Sequence, residues 1–193
     1  LGNPNPALLT LLDNDSVVGF SVSSFVVNES SLSARITVTR GGGTNLSGAT
    51  IPLTAGLVIA LTRLNKIIEI DEVNTCAVVQ AGVTNLSITE AVSAEGFFYA
   101  PDPSSQLACT IAGNIGMNSG GAHCLKYGVT VNNILGVTLV LMDGTILEIG
   151  GPALDAPGLD LLGPIIGSEG QLGIVTEACV RILRAAECAR PVL

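Results

Sequence analysis

From Arg35 onward, apolar and polar positions alternate in short runs. Arg35-Ile36-Thr37-Val38-Thr39 has period two and predicts a strand that stops at Gly41-Gly42-Gly43. Leu57–Leu61 is continuously apolar and predicts a buried strand; Ile67–Ile70 and Ala77–Ala81 predict two more. Thr84 is an N-cap for a helix whose stripe is Ile88, Ala91 and Val92, with Gly96 as its C-terminal stop. Leu135–Met142, Asp143-Gly144 and Thr145–Ile149 read as a hairpin on an Asp-Gly turn. Leu159–Ile166 reads as a helix. Ile174–Leu183 reads as a closing strand, with imperfect alternation at Val175, Ala178, Val180 and Ile182.

Before Arg35 the pattern is weaker. Asn3-Pro4-Asn5-Pro6 is a turn or extended stretch, Ala7–Leu12 a short helix, Asp15–Phe20 a strand and Ser21–Ser33 a Ser-rich helix. The mixture of local hairpins and crossovers favours α+β over a parallel doubly wound sheet.

The chain has 193 residues, enough for one domain or one domain with a small extra lobe. With 48% hydrophobic and 12% charged residues it is not a disordered chain. It has no Trp, two Tyr and four Phe, so the core must be aliphatic. A net charge of −8, with eight Lys and Arg in all, argues against nucleic acid or an anionic membrane as partner. No run reaches the roughly 18 apolar residues of a membrane helix. Leu1–Leu12 lacks the basic start and small-residue cleavage site of a signal peptide. The cysteines (76, 109, 124, 179 and 188) are odd in number and form no CxxC pair. Reduced thiols in a cytosol-like compartment are therefore expected, rather than a disulfide frame or a zinc site. Low charge with high hydropathy points to apolar surface that faces a partner.

Three glycine-rich segments carry the candidate chemistry. Arg40-Gly41-Gly42-Gly43-Thr44-Asn45-Leu46-Ser47-Gly48 follows a strand, and successive glycines let several N–H groups converge on an anion such as phosphate. It is no P-loop, having no Lys, and no GxGxxG fingerprint, since position 46 is Leu. A plain flexible turn is the alternative. The second segment starts at Pro101-Asp102-Pro103-Ser104-Ser105 and runs from Cys109 to Gly121, with Gly at 113, 116, 120 and 121. Small residues there admit either a flat ligand or a tightly packed helix end. The third, Gly167-Ser168-Glu169-Gly170-Gln171-Leu172-Gly173, joins a helix to a strand.

Together, RGGGTNLSG, PDPSSQ with CTIAGNIGMNSGGAHCLKYG, and GSEGQLGIVTE resemble the FAD-binding domain of the vanillyl-alcohol oxidase and p-cresol methylhydroxylase type. The similarity is greatest to its branch of glycolate oxidase flavoprotein subunits and FAD-linked D-lactate dehydrogenases. It runs from about Arg35 to Leu183, in the family's motif order and spacing. The resemblance implies two α+β subdomains with FAD extended between them. Residues 35–184 would be the FAD-binding domain, 1–34 a poorly matching part of the first subdomain and 185–193 a tail. Gly41, Gly42, Gly43, Thr44, Asn45 and Gly48 would meet the phosphates. Pro101, Asp102, Pro103 and Ser104 would lie along the flavin and ribityl chain, followed by Thr110, Gly113, Asn114 and Gly120. Ile174 would make a main-chain contact at the adenine end. The first loop has no His, so the resemblance implies noncovalent FAD.

The implied reaction is hydride transfer from glycolate or D-lactate to flavin N5, giving the 2-oxo acid. Complete members continue into a cap domain that supplies most substrate contacts, and in this branch often a divalent metal. Such a cap is not part of the 193 residues, so neither a metal site nor a catalytic base is expected here. A free-standing FAD-binding module, docking on a separate cap or electron-transfer partner, is the other reading; the electron acceptor is open in both. The expected location is cytoplasmic, with a membrane-peripheral or organellar one as variants. His123, the only His, reads either as a polar contact near the flavin or, in the favoured reading, as an ordinary surface or packing residue; Lys126 and Tyr127 share the two readings, and Cys109 and Cys124 read as small packing residues rather than redox groups.

Overall fold

The structure is a computed structural model that describes residues 36–39, 57–153 and 158–188. The elements expected before Arg35 and the first glycine loop lie outside the described residues. Strand β1 (Ile36–Thr39) pairs in parallel with β2 (Leu57–Ala60), Ile36 opposite Leu57 and Thr39 opposite Ala60. Both strands were expected from their apolar patterns.

A separate sheet has five strands. Its strands are β3 (Ile67–Asp71), β4 (Cys76–Gln80), β6 (Ile134–Val140), β7 (Ile146–Gly150) and β8 (Ile174–Arg181), in the order β3-β4-β8-β6-β7. Every pairing in it is antiparallel. A two-residue strand β5 (Phe97–Phe98) pairs antiparallel with β9 (Leu183–Arg184). The α+β expectation holds.

The core lies on one face of this sheet. Ala77 stands opposite Val180 and Val79 opposite Ala178, and all four are buried. Helices α1 (Asn85–Val92) and α2 (Ile111–Met117) add Ile88, Val92, Ile111, Ala112 and Ile115, all fully buried. Each buried Val or Ile contributes about 1.5–3 kcal/mol. The imperfect alternation in β8 has a cause. Thr138 pairs with Glu177 but Leu139 pairs with Val175, so a bulge at Thr176 puts Val175 and Ala178, three residues apart, in the same core.

The ends of α1 follow the sequence. The Thr84 hydroxyl accepts the Ser87 N–H at 3.4 Å. The α-helix stops at Val92, and one 3₁₀ turn (Ser93–Glu95) precedes Gly96 at φ +78°. The Asp-Gly hairpin forms between β6 and β7, where Gly144 takes φ +85° and the Asp143 carboxylate accepts the Thr145 N–H. One expectation is corrected. The helix expected over 159–166 is only α4 (Leu162–Ile165). Asp160 Oδ1 accepts the N–H groups of Leu162 and Gly163 and so starts the turn late, Pro164 brings no N–H, and Ile166 is already extended.

Candidate cofactor site

The second glycine-rich segment is interlocked with the start of α1. In its first turn Gln106 N–H donates to Pro103 O at 2.9 Å, and Ala108 and Cys109 N–H both donate to Ser105 O at 2.8 Å. The carbonyls of Gln106 and Cys109 then accept the N–H groups of Leu86 and Asn85, the first amides of α1. Those of Val83 and Ala81 accept Ile111 and Ala112 N–H, the first amides of α2. These donors are spent on the protein, so neither helix start offers them to an anion. Residues 111–117 form a packed helix, with Asn114, Ile115 and Gly116 buried.

Beyond α2 the chain turns through Asn118 at φ +48°, a left-handed C-cap. Asn118 Oδ1 accepts Val131 N–H at 3.0 Å. Ser119 O accepts both Thr130 N–H at 3.0 Å and Thr130 Oγ1–H at 2.7 Å, and Thr130 is buried. The turn carrying Ser119, Gly120 and Gly121 is therefore fixed from behind. Gly121 N–H reaches Cys124 Sγ at 2.8 Å, at the start of α3 (Cys124–Tyr127). A Cβ on Gly121 would collide with the backbone of Asp102, so only glycine fits. Pro101 and Pro103 are buried on either side of half-buried Asp102, while Ser104 is exposed.

His123 is a surface residue, its side chain 68% exposed. It has a partner: Asp102 Oδ1 accepts its backbone N–H at 3.2 Å and Oδ2 lies 2.5 Å from its ring Nδ1. The pair joins residues 21 positions apart, a separation that no local pattern signals. Lys126 lies over the Tyr127 ring at 4.9 Å, and Tyr127 meets Phe98 edge-on, which gives both a packing role.

The third segment docks on the far end of α2. Gly167 N–H donates to Ile115 O and Glu169 N–H to Gly116 O, each at 2.8 Å. Ile174 opens β8 opposite Val140, away from those bonds. Of the expected site residues, the structure thus brings Asp102 against Gly121 and His123, sets Gly120 beside Cys124 and Val129, and places Thr110, Gly113 and Asn114 on or at α2. Nothing in the described contacts joins Ile174 to them.

A cavity of about 350 Å³ opens beside Thr110, lined also by Thr62, Asn65, Ile67, Gly82, Thr84 and Ser87 among others. Its polar lining is hydroxyl and amide, without charge. Thr110 Oγ1 and Asn114 Nδ2 are buried with no hydrogen-bond partner, although Thr110 stands at an N-cap. Orphaned polar atoms cost free energy unless something satisfies them. Tyr99, just upstream, is buried with its hydroxyl unpartnered, and burial, with the Cys109 thiol next in effect, pushes that hydroxyl well above the usual phenol range.

A family model described as an FAD binding domain matches residues 26–150. This chain belongs to that family. It is 49% identical over 156 residues to the glycolate oxidase subunit GlcD of Escherichia coli (strain K12), covering 81% of this chain and 31% of that protein. It is 38% identical over 144 residues to a D-lactate dehydrogenase of Archaeoglobus fulgidus, covering 74% of this chain and 32% of the other. Among solved structures, alkyldihydroxyacetonephosphate synthase superposes with a TM-score of 0.70 at 27% identity, over 80% of this chain and 30% of that one. The chain spans about a third of the length of these relatives. The fold is the FAD-binding fold of the vanillyl-alcohol oxidase and p-cresol methylhydroxylase type, and FAD is its cofactor. The residues present fit that cofactor: uncharged hydroxyl and amide groups line the cavity beside Thr110, and Thr110 Oγ1 and Asn114 Nδ2 are buried without partners.

Proposed function

We propose that the domain holds FAD noncovalently for the oxidation of a small 2-hydroxy acid, glycolate or D-lactate, to the 2-oxo acid. The observation that carries this reading is the 49% identity to a glycolate oxidase subunit across 81% of the chain, with the first two glycine-rich segments inside the matched FAD binding domain, residues 26–150. When bound, FAD supplies the two-electron acceptor for the hydride.

The chain's own residues bind and orient it. In this reading residues 35–184 form the binding domain, residues 1–34 complete its first subdomain and 185–193 are a tail. Gly41, Gly42, Gly43, Thr44, Asn45 and Gly48 give the phosphates main-chain and hydroxyl donors. Pro101, Asp102, Pro103 and Ser104 form a stiff wall along the flavin and ribityl chain, and Gly120 lets that chain approach the backbone. Thr110 Oγ1 and Asn114 Nδ2 are donors in want of an acceptor, Gly113 leaves space on α2, and Ile174 offers its main chain. The absence of His from the first loop supports noncovalent attachment. Leu107 and Leu125, 77% and 103% exposed, lie in the site segments and support a covering cap or partner subunit that completes the substrate site. Among the described residues no helix is long and apolar enough to cross a membrane.

The test is anaerobic titration of the FAD-loaded protein with glycolate and with D-lactate. Bleaching of the flavin band by either acid supports the proposal. FAD held firmly but reduced by neither favours a binding module that relies on a separate partner for turnover.

A further inference from the structure

We propose that Asp102 and His123 are positioning residues, a clasp that holds two flavin-contacting segments at a fixed separation. The proposal rests on the FAD reading above. Asp102 belongs to the Pro-Asp-Pro-Ser loop and His123 to the turn after Gly120 and Gly121. One carboxylate grips the second segment twice, through the His123 backbone N–H at 3.2 Å and the ring Nδ1 at 2.5 Å. Both sides of the clasp are braced. Two prolines fix the backbone of Asp102. On the other side, Gly121 lies against the Asp102 backbone with no room for a Cβ, and its N–H is held by Cys124 Sγ. A carboxylate that met the ring alone would tether a mobile side chain. Meeting the main chain as well, it sets where the turn lies.

The pair sits at the surface, with side-chain exposures of 24% for Asp102 and 68% for His123. Exposed pairs contribute little to global stability. The clasp's effect therefore belongs in cofactor affinity and orientation, because a loosened turn must be ordered each time FAD binds. Arginine at position 123 presents a planar fork that can grip the same carboxylate. Alanine cannot.

The experiment titrates FAD into the protein and into D102A, H123A, the double variant and H123R. Flavin fluorescence reads affinity, visible circular dichroism reads the orientation of bound flavin, and thermal melting of the cofactor-free proteins reads the fold. D102A, which removes both contacts, is expected to weaken FAD at least tenfold, and H123A, which keeps the backbone N–H on the carboxylate and loses the ring contact, by a smaller factor. The double variant should be no weaker than D102A, H123R should bind nearly as wild type, and the cofactor-free melting temperatures should not move. If D102A itself lowers the melting temperature, the exposed His123 decides through H123A against H123R. Single variants that bind FAD with wild-type affinity and the wild-type dichroic band overturn the clasp alone. Strictly additive losses in the double variant also overturn it. A wild-type protein that takes up no FAD overturns the flavin reading, and the positioning role with it.

Discussion

The backbone N–H of Gly167 donates to the carbonyl of Ile115 at 2.8 Å. This bond, with its neighbour from Glu169 to Gly116, closes the C-terminal end of α2 with the third glycine-rich segment. A segment that by sequence was only a turn thus caps the helix of the second segment. Gly167 makes the bond at φ +92°, where a side chain is strained. Gly167→Ala is expected to destabilise the protein by about 1–2 kcal/mol. A urea unfolding midpoint equal to wild type would show that the cap carries no such strain.

Strain of the opposite kind lies at Thr75, a β-branched residue at φ +53° in the turn between β3 and β4. Thr75 O accepts Ile182 N–H at 2.9 Å, which holds the backbone there. Asparagine tolerates this conformation better without glycine's loss of chain entropy. Thr75→Asn should raise stability by about 0.5–1 kcal/mol, seen as a higher denaturant midpoint at unchanged slope.

The hydroxyl of Tyr99 is buried and has no partner. Removing an unsatisfied buried group is neutral or favourable. Tyr99→Phe is therefore expected to leave stability unchanged or raise it by up to about 1 kcal/mol. A loss of stability in thermal melts would reveal a partner for the hydroxyl.

The cysteines separate by burial. Cys76 and Cys179 lie on β4 and β8, which pair, and burial raises both thiols; that of Cys179, with Cys76 next in effect, is pushed up to about 12. A thiol whose folded value is raised favours the protonated native state. Its contribution is complete below the ordinary value of 9.0 and is lost as pH rises from there through about 12. Stability should fall over that alkaline window, and Cys179→Ala should flatten the fall. In labelling with a thiol reagent at neutral pH, exposed Cys188 should react first, and Cys76, Cys109 and Cys179 only as the protein unfolds.

Several strands were legible in sequence: the period-two run at Ile36, the apolar run at Ile67 and the Asp-Gly hairpin that starts at Leu135 map onto β1, β3 and β6–β7. The bulge at Thr176 was visible as broken alternation, but its cause lies in the pairing with β6. The short α4 was overestimated because apolar spacing says nothing of the Asp160 carboxylate that delays its start. In the candidate site, glycine content marked the segments that the sequence reading proposes for FAD. It could not tell that Gly121 is demanded by Asp102, or that Asp102 holds His123, because both depend on contacts distant in sequence.

The most direct measurement incubates the purified protein with FAD, removes unbound flavin and records the visible spectrum. The account predicts a flavin band that stays with the folded protein and is released as free FAD on denaturation. A folded protein that retains no flavin band would contradict it.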